Sequence, residues 1–159
     1  MATNGERAYE LYQAGVGQPE GAGEWLAITQ ERINTFADVT EDRQFIHVDP
    51  EACKELSPWG VPIAHGFLTL SLLTTLAATV PQDASRLTGI VMGVNYGFEK
   101  VRFINPVKVG SRIRASSVLT AVDAKDADTL QTTRTLTVEI EGETKPALVA
   151  EWVTRLMYG

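Results

Sequence analysis

Phe67–Val80, FLTLSLLTTLAATV, is the stretch whose reading decides the fold. It carries no charged residue, and only Ser and Thr interrupt its apolar run. Their hydroxyls can bond back to a carbonyl one turn earlier, so they do not forbid burial. A helix lying on a surface would show a charged face; this one shows none and is expected to be enclosed by protein. Fourteen residues make about 21 Å of helix, too short to cross a bilayer. Gly66 or Phe67 begins it and Pro81 stops it.

Downstream the pattern changes to strands. Ile90, Met92, Val94 and Tyr96 alternate with smaller or polar residues, and Phe98–Phe103 makes a second run ended by Asn105-Pro106. Arg112–Ala121, Leu130–Ile140 and Ala147–Tyr158 complete the set. Long alternating strands joined by short turns imply an antiparallel sheet with one face covered. Only the 67–80 helix is apolar enough to cover it. The expected fold is therefore α+β, a curved antiparallel sheet wrapped around a central helix at about residues 66–80.

Upstream, residues 6–14 form a short helix stopped at Gly15, and Gly15–Gly23 reads as a glycine-rich loop. Glu24–Ile28 reads as a strand. Thr29 is placed to cap a helix over about residues 30–38, with Ile33, Phe36 and Ala37 on its apolar face. Thr40–Val48 has no steady period and reads as a loop. Asp49-Pro50-Glu51 then starts a helix that ends near Leu56, with Asp49 as cap and Pro50 in the first position.

Bulk properties exclude several function classes. The 159 residues fit one domain, with 1–23 as an N-terminal helix and loop extension. A net charge of -6 argues against a nucleic-acid surface. One cysteine, Cys53, rules out an internal disulfide or a Cys-rich zinc site. MATNGERAYELYQ lacks the pattern of a secretory signal, and no run is apolar enough to span a membrane. A cytoplasmic setting is expected. Dinucleotide, P-loop, nucleophile-elbow and H-E-x-x-H patterns are all missing.

Chemistry concentrates between Thr40 and Gly66, TEDRQFIHVDPEACKELSPWGVPIAHG, which holds both histidines, His47 and His65. Asp42 and His47 can converge on a water, the imidazole exchanging a proton near neutral pH beside a carboxylate. Asp42 as a turn residue and His47 as a satisfied core histidine is the plainer alternative. Gly66 at a helix start would let a ligand oxygen reach an unpartnered backbone N–H, or would simply permit close packing. His65 reads as structural support. Cys53, on an ordinary helix, has little to mark it as a nucleophile.

FADVTEDRQFIHVDPEACKELSPWGVPIAHGFLTLSLL resembles the hydratase motif of the MaoC-like dehydratases, the (R)-specific enoyl-CoA hydratases of the hot-dog fold. The matches are Phe36-Ala37, Asp42, His47, Asp49, Pro62-Ile63 and His65-Gly66, and VNYGFEKVRFINPVKVGSRIR resembles the strand pair that follows the helix. Gln44-Phe45 stands where that family usually has Asn-Pro, so the part played by Gln44 is open. The resemblance implies reversible hydration of trans-2-enoyl thioesters to (3R)-hydroxyacyl thioesters. Asp42 and His47 would be catalytic, with the Gly66 N–H on the thioester carbonyl. No metal is expected from the motifs, and no cofactor, since coenzyme A or an acyl carrier belongs to the substrate. A homodimer is expected, and Lys100 and Arg102 are conceivable phosphate contacts. A hot-dog thioesterase and a non-catalytic acyl-thioester binding subunit are the alternatives.

Overall fold

The computed structural model describes all residues, Met1–Gly159. Its element order is α1 (Asn4–Gly15), β1 (Pro19–Ala22), β2 (Leu26–Ala27), α2 (Gln30–Thr40), α3 (Phe45–Val48), α4 (Pro50–Leu56), α5 (Gly66–Ser71), α6 (Leu73–Ala78), β3 (Ile90–Phe103), β4 (Arg112–Ala124), β5 (Thr129–Ile140) and β6 (Leu148–Tyr158). A short 3-10 turn, Ala84–Leu87, precedes β3. One antiparallel sheet runs in the order β1-β4-β5-β6-β3, with β2 beside β1 on the outer edge of β4. This is the hot-dog arrangement, a long sheet with a central helix.

The helix and sheet meet through one apolar core. Leu68, Leu72, Leu73, Leu76 and Val80 pack on Ile113, Ala115, Leu136, Val138, Leu148 and Ala150. Each buried Leu, Ile or Val contributes about 1.5–3 kcal/mol over an exposed one. Along β4 the buried positions are Ile113, Ala115, Ser117 and Leu119, then Val122. The parity changes because a bulge lies between Leu119 and Ala121, which turns later side chains to the other face.

The central helix departs from expectation in two ways. It is two segments, α5 and α6, meeting at Leu72, which stays near helical angles (φ -72°, ψ -8°). It is also not fully enclosed: Phe67, Ser71, Thr74 and Ala78 form an exposed stripe along it. That stripe lacks charge, so composition could not separate it from the buried face.

Three further corrections concern the strands and loops. The loop expected over Gly15–Gly23 contains β1, which pairs with β4 and bulges between Pro19 and Gly21. The runs at 90–96 and 98–103 are a single 14-residue strand, β3, whose irregularities at Asn95/Gly97 and Phe98/Lys100 keep it paired to β6 through Gly97. The Thr40–Val48 loop includes a helical turn, α3. β3 is the free edge of the sheet and exposes Val91, Met92, Val94, Tyr96 and Phe98.

α1 starts two residues before its expected position, on a capping box. Glu6 N–H donates to Thr3 Oγ1 (3.1 Å), while Thr3 N–H donates to the Glu6 carboxylate (2.8 Å). Its buried Ala8 and Tyr12 pack with Leu119, Val122, Leu130 and Tyr158 as a second, smaller core. Tyr158 closes that core by donating its hydroxyl to the Arg86 carbonyl (2.9 Å), and burial holds its phenol protonated well above the ordinary range.

Candidate active site

Two short backbone segments meet to make the site. Residues 62–64 lie alongside 107–109, with Ala64 N–H donating to the Val107 carbonyl (2.7 Å) and Val109 N–H to that of Pro62 (2.9 Å). On its other side Ile63 N–H donates to the Ile46 carbonyl (2.9 Å), which fixes α3 against this segment. In return, His47 Nδ1 sits 2.7 Å from the Ile63 carbonyl oxygen. A carbonyl only accepts, so Nδ1 carries the proton there and Nε2 keeps its lone pair. From α2, Gln30 Nε2 donates to the His47 carbonyl (2.7 Å).

Asp42 follows Glu41, the residue that ends α2 in the left-handed conformation (φ 62°). That sharp reversal, rare for a residue with a side chain, turns Asp42 inward, where it is half-buried. His65 holds it in place: its Nε2–H donates to the Asp42 carbonyl (2.8 Å). The His65 ring stacks on that of His47, centroids 3.8 Å apart and planes 23° from parallel, with Phe36 against its other side at 5.0 Å. Both histidines are buried, at 6% and 2% exposure.

Asp42, His47 and His65 thus bring carboxylate and ring-nitrogen atoms within 4.8 Å of one another. Such a trio could hold a metal ion by distance alone. The near-parallel rings, however, send their lone pairs along neighbouring planes instead of toward one centre. One nitrogen of each ring is also occupied by a backbone carbonyl. The geometry fits proton transfer better than tetrahedral ligation.

Electrostatics favour the same use. Burial lowers the His47 pKa below its ordinary value, and His65 adds to the lowering; the Ile63 hydrogen bond and the Asp42 carboxylate oppose it. The imidazole is therefore neutral near pH 7 and free to accept a proton at Nε2. Beside it, Gly66 opens α5, where first-turn N–H groups have no helical acceptor. A Cβ on Gly66 would lie 2.9 Å from the Phe103 ring, so any larger residue must displace that ring. A cavity of about 230 Å³, lined in part by Ile63, Gly66, Thr69 and Phe103, adjoins it.

The other residues singled out from sequence have plainer places. Asp49 caps α4, its carboxylate accepting from Ala52 N–H (3.0 Å). Gln44 is exposed and precedes α3 without a capping bond. Cys53 is buried, its thiol within 3.5 Å of the Phe45 carbonyl, and burial pushes its pKa up, away from a nucleophilic thiolate. Lys100 and Arg102 are exposed on β3. Sequence reasoning missed Gln30 and the Ile63 carbonyl. Both act through partners distant in the chain; for Gln30 the sole hint was its place in the first turn of an amphipathic helix.

The MaoC like domain family matches residues 12–141. The nodulation protein N of Rhizobium meliloti (strain 1021) is 49% identical over 138 residues, 87% of this chain and 84% of that protein. The 3-hydroxyacyl-thioester dehydratase Z of Mycobacterium tuberculosis is 47% identical over 142 residues, 89% of this chain and 91% of that one. Among solved structures, an (R)-hydratase from A. caviae involved in PHA biosynthesis superimposes with a TM-score of 0.68 at 25% identity, over 87% of this chain and 94% of that one.

Proposed function

Because the chain belongs to the MaoC-like dehydratase family, we propose that it catalyses the reversible addition of water to trans-2-enoyl thioesters, giving (3R)-hydroxyacyl thioesters. The observation that carries this reading is the approach of Asp42 to a backbone-anchored His47, with Gly66 opening α5 beside them. Asp42 and His47 hold the attacking water between them. One group takes its proton as oxygen bonds to the β-carbon, and a proton is delivered to the α-carbon. A close pair exchanges protons as a unit, so neither step is assigned to one side chain. The Gly66 N–H donates to the thioester oxygen, where negative charge develops. His65 positions Asp42 through its carbonyl and His47 through stacking.

The reading extends to assembly and setting. β3 offers unpaired backbone groups and a row of apolar side chains, an edge that proteins cover or pair. A second copy joining there would give a two-fold dimer with a continuous sheet. The substrate brings its own coenzyme A or carrier, and no further cofactor enters the reaction. No helix is long and apolar enough to cross a membrane, and we place the reaction in the cytoplasm.

The test is the loss of conjugated absorbance when crotonyl-CoA is mixed with the protein. Asp42→Asn and His47→Ala should each reduce the rate by about 10²–10⁴. Unchanged turnover in both variants overturns the reading, and release of free thiol without hydration replaces it with a thioesterase.

A further inference from the structure

Glu20, on β1, is the hub of a charged cluster remote in sequence from Asp42 and His47. Its carboxylate accepts from Ser117 Oγ (2.6 Å), from Arg134 Nε (2.9 Å) and Nη2 (3.5 Å), and from Arg86 Nη1 (3.3 Å). The three charged side chains are only 10%, 16% and 15% exposed for Glu20, Arg134 and Arg86. Two guanidiniums face one carboxylate, so the cluster holds a net charge of +1 (two minus one) in a place largely stripped of water. Arg86 Nε is buried with no acceptor. Of the five N–H groups of a guanidinium, Arg134 spends two on Glu20 and one on Thr132 Oγ1 (3.0 Å), which leaves two.

One arginine would suffice to tie β1 to the sheet. The second, Arg86, also feels the Asp83 carboxylate and stacks over the Tyr12 ring, while Arg134 reaches the floor of a cavity of about 290 Å³. Glu20, Ser117 and Arg134 line its polar end, while Ala77, Val80 and Trp152 line apolar wall. The cavity also touches Thr74 and Ala78, the far members of the exposed stripe that begins at Phe67 beside Gly66. At 1.5 Å per residue, Thr74 lies about 12 Å along the helix from Gly66. A chain fixed by its thioester at Gly66 can follow that stripe into the cavity.

We propose that this cavity receives the far end of the acyl group and selects chains that terminate in a carboxylate. The inference rests on the enoyl-thioester reading above. An apolar body lies against the Trp152 wall, and the terminal carboxylate accepts from the spare N–H groups of Arg134. A methyl end would strip the remaining water from a buried cation and return nothing for it. A charge-assisted hydrogen bond of this kind discriminates by about tenfold or more.

Matched trans-2-enoyl-CoA esters of medium length, one ending in methyl and one in carboxylate, test the proposal, with crotonyl-CoA as the short reference. The expected kcat/KM ratio favours the carboxylate-ended ester by about tenfold or more, and Arg134→Gln brings the ratio toward one. Calorimetric binding of the two saturated acyl-CoA counterparts to the unmodified protein supplies a readout that needs neither catalysis nor a folded variant. Hydration of all three esters with no preference, or a preference for methyl, overturns the proposal and leaves the hydratase reading standing. A binding preference for the carboxylate without hydration of any ester supports the cavity's selectivity and overturns the hydratase reading. A preference that survives in folded Arg134→Gln overturns the role given to Arg134.

Discussion

Replacing Glu20 by Gln keeps the shape of the side chain and removes its charge. The variant leaves one oxygen to accept where two did, and it turns an NH₂ group toward guanidinium donors. Ser117 Oγ, Arg134 and Arg86 all lose part of their acceptor. At 16% and 15% side-chain exposure the two arginines recover little hydration, so solvent screening discounts the cost only slightly. Removing one partner of a buried ion pair costs about 3–5 kcal/mol, a large fraction of the roughly 5–15 kcal/mol that holds a domain together. At about 2–4 °C per kcal/mol for a chain of this size, Tm should fall by about 6–20 °C. Urea denaturation at fixed pH measures the difference directly. Glu51→Gln is the internal control, because its pair with Lys54 is 82% and 63% exposed and should cost under about 0.5 kcal/mol. In the Glu20→Gln background, Arg86→Met should recover part of the loss by removing the stranded cation. A Glu20→Gln cost no larger than that of Glu51→Gln would refute the account of a desolvated charge cluster.

Four more outcomes follow from the site. With neutral His47 as the form that holds water, kcat/KM should fall on the acid side with a midpoint below 6.5, the ordinary value from which His47 is lowered. A pH–rate profile with a midpoint above 6.5 would contradict this. The same shift makes stability pH-dependent: the unfolded chain binds the His47 proton more tightly. Its contribution is therefore full above 6.5 and is lost as pH falls through the lower folded value, as denaturation curves at stepped pH can check against His47→Gln. Gly66→Ala places a Cβ 2.9 Å from the Phe103 ring. That half-exposed ring can yield, so stability should change by less than about 1 kcal/mol while kcat/KM drops about tenfold by displaced approach. Gln30→Ala removes the donor to the His47 carbonyl and should cost about 1 kcal/mol of stability, read from the same denaturation assay.

The sheet and its central helix were legible because strand and helix periods are local properties of the chain. Asp49 was legible as a cap for the same reason: the residues that it serves lie within one turn. What escaped is what the chain builds between distant segments. Pro19–Ala22 has a proline, two small residues and no alternation of apolar with polar residue types, so nothing local marks it as a strand; it is one because the edge of β4 accepts it. Phe45–Val48 is too short to show a period, and contact with Ile63 anchors it. Gly97 reads locally as a break, yet it stays paired with Val153 where β3 bulges around it. Asp42 and His47 were suggested by residue type and resemblance. Their geometry depends on His65, Ile63 and Gln30, whose contributions are hydrogen bonds across 16 to 23 residues of chain.

The anchor of His47 is a main-chain oxygen, that of Ile63, and this shapes how the site can change by mutation. Every amino acid carries a carbonyl, so no point substitution at position 63 can delete the acceptor; it can only shift it. Errors there are graded, where loss of a carboxylate partner would be all-or-none. The imidazole tautomer is thus encoded by the path of the backbone, and drift in the side chain at 63 is filtered by packing, by the cavity wall that it forms and by the N–H that Ile46 needs. Variation at that position in a mutant library should therefore track side-chain volume, with polarity and charge entering only through burial.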